Sequence, residues 1–174
     1  MHIRYWPIAA AIVAFCGSAT AAQSTTNFDV TLTIAESCTF GAKVAENDVN
    51  FGSKARASSA VRYEAEGKLS IDCSEGTDYY IGLNGGGNAG SDVSNPKLGV
   101  RQMSNGATGA GAVYVKYDLF QDTARTVFWG NVTANGKSGT GTGRVESISV
   151  YGLVTNANVA SGSYRDNVTA TIVY

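Results

Sequence analysis

Near its start the chain reads Phe28-Asp29-Val30-Thr31-Leu32-Thr33-Ile34, and at its end Val168-Thr169-Ala170-Thr171-Ile172-Val173-Tyr174. In both, an apolar side chain returns at every second position. That period belongs to a strand with one buried face and does not suit a helix, whose faces repeat every 3.6 residues. A sheet edge must be paired, covered or charged. The last eight residues carry no charge, so the final strand is expected to present an uncovered edge. The first segment is then expected to be a strand that leaves its own domain and completes a neighbour's sheet. On pattern alone a self-contained sandwich, which also begins and ends in alternating strands, is the simpler reading.

Between these ends, apolar stretches alternate with Gly, Asn and Ser clusters. Strands are expected over 28–34, 49–51, 67–73, 79–83, 113–121, 145–154 and 167–174, with Asn84-Gly85, Asn105-Gly106 and Asn135-Gly136 as tight turns. The glycine-dense stretches 82–90 and 136–143 read as long flexible loops. No stretch beyond residue 22 sustains a helical period over three turns. With 21 glycines and 2 prolines, the pattern fits an all-β sandwich.

Residues 1–22 have the layout of an export signal: Arg4, a short apolar run from Ile8 to Cys16, then Ala19-Thr20-Ala21-Ala22. The run is too short to cross a bilayer, which takes about 20 residues. Cleavage there removes Cys16, His2 and Arg4. The remainder has formal charge −2 and no histidine. Without a basic excess, nucleic acid is not an expected partner. Cys38 and Cys73 remain as a pair in an exported chain, and the expected state is a disulfide. It closes a loop of about 36 residues and contributes roughly 3–4 kcal/mol on the chain-entropy estimate. Two cysteines without histidine make a poor metal site.

Little points to catalysis. Gly136-Lys137-Ser138 lacks the earlier glycine of a phosphate-binding loop, since Asn131 stands there. Asp29, Asp48, Asp72, Asp78, Asp92, Asp118, Asp122 and Asp166 are scattered along presumed loops and strand ends, where solvated acids are the simpler reading than a hydrolytic pair. Tyr114, Tyr117, Phe120, Phe128 and Trp129 read as core and cross-strand packing, with a sugar platform as the rival. No enzyme activity and no cofactor are expected.

Four stretches stand out in order: Val49-Asn50-Phe51-Gly52, then Leu69-Ser70-Ile71-Asp72-Cys73-Ser74-Glu75-Gly76-Thr77, then Arg101-Gln102-Met103 with Tyr117-Asp118-Leu119-Phe120-Gln121-Asp122 and Trp129-Gly130, and last Val150-Tyr151-Gly152 with Gly162-Ser163-Tyr164-Arg165-Asp166-Asn167-Val168 running to Tyr174. Together they resemble the spore coat protein U domain family, which includes pilins of archaic (Csu-type) chaperone–usher pili. The resemblance implies an immunoglobulin-like sandwich lacking its last strand. In such pilins a periplasmic chaperone lends a strand, and at the outer-membrane usher the next subunit's N-terminal segment replaces it. It further implies a donor segment, 23–35, with Phe28, Val30, Leu32 and Ile34 as plugs, ahead of a pilin domain at 36–174. Val168, Ala170, Ile172 and Tyr174 are the implied acceptor edge, and the C-terminal carboxylate the group that anchors on the chaperone. The implied function is a structural pilin, a shaft or adaptor subunit, polymerising head to tail into surface pili for adhesion and biofilm formation. A spore or cell-coat protein is the alternative within the family, and a secreted β-sandwich carbohydrate-binding module is the alternative outside it.

Overall fold

The longest alternating stretches form the spine of the molecule. β2 (Tyr63–Cys73) and β8 (Val145–Val154) pair antiparallel along nearly their whole length, from Tyr63↔Val154 to Asp72↔Val145. In β2, Gly67, Ile71 and Cys73 point inward and are buried, while Glu64, Glu66, Lys68 and Asp72 face water. This alternation lets one face join a core while the other stays solvated. β1 (Cys38–Phe40) and β6 (Asp118–Phe120) flank the pair, giving a sheet of order β1-β2-β8-β6. Opposite lies a second sheet, β7-β3-β9, made of β3 (Asp78–Leu83), β7 (Lys137–Thr140) and β9 (Ala170–Val173). β4 (Gln102–Ser104) and β5 (Tyr114–Lys116) form a separate ribbon. Ile71, Ile81 and Trp129 are fully buried, and Trp129 Nε1 donates to the Ile81 carbonyl at 2.8 Å.

This computed structural model describes residues 20–174; most of the expected export signal, residues 1–19 with Cys16, lies outside them. The chain divides into two units, Met1–Ile34 and Ala35–Tyr174. The expected disulfide is present: Cys38 and Cys73 are bonded and are also register partners across β1 and β2. Among the described residues no helix is long and apolar enough to cross a membrane, and no cluster of His, Cys, Asp or Glu is suited to a metal.

Several local expectations need correction. The expected strand 113–121 is split into β5 and β6. The expected loop 136–143 contains β7 and then a pinned corner, where Gly141 N–H donates to Thr77 O at 2.8 Å and Gly143 N–H to Cys73 O at 3.0 Å. The loop 82–90 begins inside β3 and is then held by Gly85 N–H to Val93 O at 2.7 Å and Gly87 N–H to Asn167 O at 3.1 Å. Of the three Asn-Gly turns only Asn105-Gly106 places its glycine at positive φ, 79°.

Residues 49–51 form no strand. They lie against Gly67 and Gly152 on the inward face of the large sheet. A Cβ on Gly67 would sit 2.6 Å from Asn47 O and 2.8 Å from Val49 Cγ2; one on Gly152 would sit 2.6 Å from Val49 Cγ1 and 2.9 Å from the Phe51 ring. The chain thus fills one part of its own interior through a gap that two missing side chains provide. Gly152→Ala is expected to cost about 1–3 kcal/mol, the usual range for overpacking, read as a lower urea midpoint with an unchanged m-value.

A polar cluster organises the region beside β9. Arg101 is fully buried; Nε donates to Asn84 O at 2.9 Å, and Nη2 to Leu83 O at 2.7 Å and Trp129 O at 2.8 Å. Its guanidinium stacks 5.2 Å from the Phe128 ring centre. Burial lowers its pKa to about 10, so it remains charged at neutral pH. Tyr117 donates to Asp166 Oδ2 at 2.7 Å and Asn88 Nδ2 to Asp166 Oδ1 at 3.0 Å. Asp118 accepts from Gly99 N–H at 2.7 Å, and burial raises its pKa. Asp118 and Asp166 are therefore half-buried structural groups rather than solvated loop acids.

Candidate functional site

The most distinctive surface is the edge of the smaller sheet. β9 pairs antiparallel with β3, from Leu83↔Ala170 to Tyr80↔Val173, and the sheet order ends there. The Asn84 N–H to Thr169 O bond, 3.0 Å, sets the phase of this ladder. In an antiparallel pair the hydrogen-bonded positions alternate. Thr169, Thr171 and Val173 therefore turn their backbone groups toward β3. Ala170 and Ile172 turn theirs to the outer side, where among the described residues no strand pairs with them. Asn84 fixes the entry to β9 a second time, its Oδ1 accepting from Thr169 N–H at 2.9 Å.

Side-chain direction alternates in the same register. Val168, Ala170 and Ile172 are half-buried and pack on the core, while Thr169, Thr171 and Val173 face outward. Of the four residues assigned to this edge from sequence, three therefore share its inward face. Tyr174 does not: the strand ends at Val173, and Tyr174 is 58% exposed.

Across the interior, β1 is the edge of the larger sheet on the same side, and its residues approach β9 within 8 Å between Cα atoms. Phe40 on β1 and Leu69 on β2 face inward, and both remain half-buried against the core. Phe40 and Leu69 on one sheet and Val168, Ala170 and Ile172 on the other are thus half-buried apolar residues packed against the same core, and β9 carries outward-pointing N–H and C=O groups beside them. Such a surface offers a ladder and side-chain seats to an extended segment with alternating apolar residues. Phe40 and Leu69 were not assigned to this edge from sequence. Phe40 stands two positions after Cys38, but a strand of three residues is too short for that spacing to mark it.

The segment with matching alternation, 28–34, contains no strand in the first unit. Phe28 is 82% exposed, Val30 87%, Leu32 83% and Ile34 85%. Four large apolar side chains in water at alternate positions are not explained by burial within that unit. By contrast, of the aromatic residues weighed as a sugar platform, Tyr117, Phe120 and Trp129 are buried and Phe128 half-buried; only Tyr114 is exposed.

Residues 24–171 match the family model described as the Spore Coat Protein U domain. Protein U of Myxococcus xanthus is 34% identical over 173 residues, covering 95% of this chain and 93% of that protein. Among solved structures, the chain is similar to one in the CsuC-CsuE chaperone-tip adhesion subunit pre-assembly complex from archaic chaperone-usher Csu pili of Acinetobacter baumannii. The TM-score is 0.53 and the identity 23%, over 82% of this chain and 40% of that one. The chain therefore spans about two fifths of the solved chain's length, and at that identity the likeness carries the sandwich fold.

Proposed function

The chain belongs to the Spore Coat Protein U domain family, and from that premise we propose that it is a structural, pilin-like subunit that polymerises by donating residues 23–35 to the open edge of another copy. Phe28, Val30, Leu32 and Ile34 are the plugs. Val168, Ala170 and Ile172, with Phe40 and Leu69 opposite, are the seats. Tyr174 flanks the edge rather than lining it. The observation that carries this reading is the pairing of two complementary features. One is a strand with outward-pointing backbone groups and half-buried apolar side chains; the other is an alternating apolar segment left in water.

The energetics are adequate. Burying four large apolar side chains contributes roughly 6–12 kcal/mol before ordering costs. Hydrogen bonds to Ala170 and Ile172 add to that and fix the register. Because donor and acceptor are different surfaces, the contact is heterologous and extends into a filament instead of closing into a dimer. Until a neighbour arrives, the same edge takes a strand from a periplasmic chaperone, with hand-over at an outer-membrane usher. The assembled product is a surface fibre serving adhesion and biofilm formation. The solved neighbour, described as a chaperone–subunit pre-assembly complex, supports the chaperone step by analogy.

The decisive experiment removes residues 23–35. The shortened chain is expected to form no fibres, yet to bind an added 23–35 peptide one to one with a higher Tm. Fibres from the shortened chain would rule out donation by this segment. A coat-protein role is favoured by the family's description; it uses the same assembly step and differs in the surface on which the polymer is laid. The carbohydrate-binding alternative loses the Trp129 platform on which it partly rested, since that ring is fully buried.

A further inference from the structure

The root of the donor segment is fastened one residue before the disulfide. Ser37 N–H donates to Ser74 Oγ at 3.1 Å, and Ser74 N–H donates back to Ser37 O at 2.8 Å. Cys38 follows, bonded to Cys73. Between the last plug, Ile34, and the first pinned residue, Ser37, only Ala35 and Glu36 are free. Three Cα steps reach at most about 11 Å. A body of the size of Ala35–Tyr174 has a radius of gyration of roughly 14 Å. The leash is thus shorter than the radius of the bodies it joins.

We infer that this leash forces a second contact between consecutive copies, made by the surface at the donor root, and that the joint of the polymer is therefore stiff. This rests on the strand-donation reading. With Ile34 seated in a neighbour's groove, the corner carrying Ser37 and Ser74 lies within one leash length of that groove. Two bodies held so closely meet after a small rotation. The surface that meets the neighbour is already shaped: a recess of about 310 Å³ lined by Ser37, Thr39, Asp72, Cys73, Ser74 and Gly143 opens at the pinned end of the leash. Its lining is mostly small and polar, with one exposed carboxylate, Asp72. That suits a wet, secondary contact and not a second hydrophobic plug. The occupant is another copy of this chain, because continuity with the plug-and-groove contact brings a copy there and brings nothing else.

The test inserts six Gly/Ser residues between Glu36 and Ser37 of the full chain. The insertion lengthens the reach to roughly 30 Å and leaves plugs, groove and body untouched. Fibres imaged by electron microscopy are expected to keep assembling, with a scattered subunit repeat and a persistence length reduced about threefold or more. Complete loss of fibres, with the 23–35 peptide still accepted by the body, also supports the inference, since only the joint was altered. An unchanged repeat and stiffness overturns it and leaves strand donation standing. A wild-type chain that forms no fibre under any condition removes both.

Discussion

Replacing Leu32 by aspartate is expected to abolish fibre formation while leaving the folded body unchanged. Leu32 is 83% exposed in the free chain, so its own unit loses no buried contact and the Tm of the monomer should not move. The cost falls on the seated state. The seat loses the transfer of a leucine, about 1.5–3 kcal/mol. It also gains a carboxylate that must be desolvated between apolar walls with no cation nearby, several kcal/mol more before protonation or water entry relieves it. Residues 167–174 offer no positive side chain to receive it. A net loss of about 4–6 kcal/mol is a factor of about 10³–10⁴ in affinity. The quantity to measure is the Kd of a 23–35 peptide, with and without Leu32→Asp, for the body lacking its own segment. The variant chain must still accept a wild-type peptide, because its groove is intact. Binding of the aspartate peptide within tenfold of wild type would show that position 32 is not a plug.

The second large effect concerns Arg101, which no functional reasoning from sequence singled out. Arg101→Met keeps length and apolar bulk but leaves the carbonyls of Leu83, Asn84 and Trp129 without the donors that now satisfy them. Each buried acceptor left unpaired costs about 1–3 kcal/mol, and three are left here, partly offset because the buried guanidinium no longer has to be desolvated. The expected loss is therefore about 3–5 kcal/mol in urea unfolding. It should carry a functional consequence as well. Leu83 is the register partner of Ala170, and Asn84 holds Thr169 at the entry to β9. Loosening this corner should weaken donor-peptide binding, even with peptide concentrations adjusted for the folded fraction. A stability change under 1 kcal/mol would mean that water replaces the guanidinium at little cost.

Sequence reasoning succeeded where the physics was local and periodic. The strand 145–154 is found with those bounds, because its alternation is long and one face is buried. The Cys38–Cys73 bond follows from the expectation that export and removal of Cys16 leave these two thiols with few other options. It failed where pairing was short or decided from outside the segment. β1 and β4 have three residues each, too few to show a period. β7 carries Gly139, and its strand character comes from pairing to β3, not from its own composition. Residues 49–51 look like a strand, but Gly67 and Gly152, far away in sequence, decide that they pack as an irregular filler. The alternation of 28–34 reports which side chains share a face and carries no information on which sheet supplies the partner. Arg101 was visible only as part of a resemblance; its carbonyl partners come from two separate chain segments, 83–84 and 129, and leave no pattern in the sequence.

The cross-link between Cys38 and Cys73 has a mechanical meaning if the leader is ever pulled. β1 has only three residues and on its own would peel from β2 one hydrogen bond at a time. Traction arriving along the leader meets the Ser37–Ser74 hydrogen bonds and then the covalent bridge, and passes straight into β2, which is zipped to β8 over ten residue pairs. A pull directed along β2 loads that ladder in shear, so many bonds resist together, and the rupture point moves away from the weakest strand to the strongest.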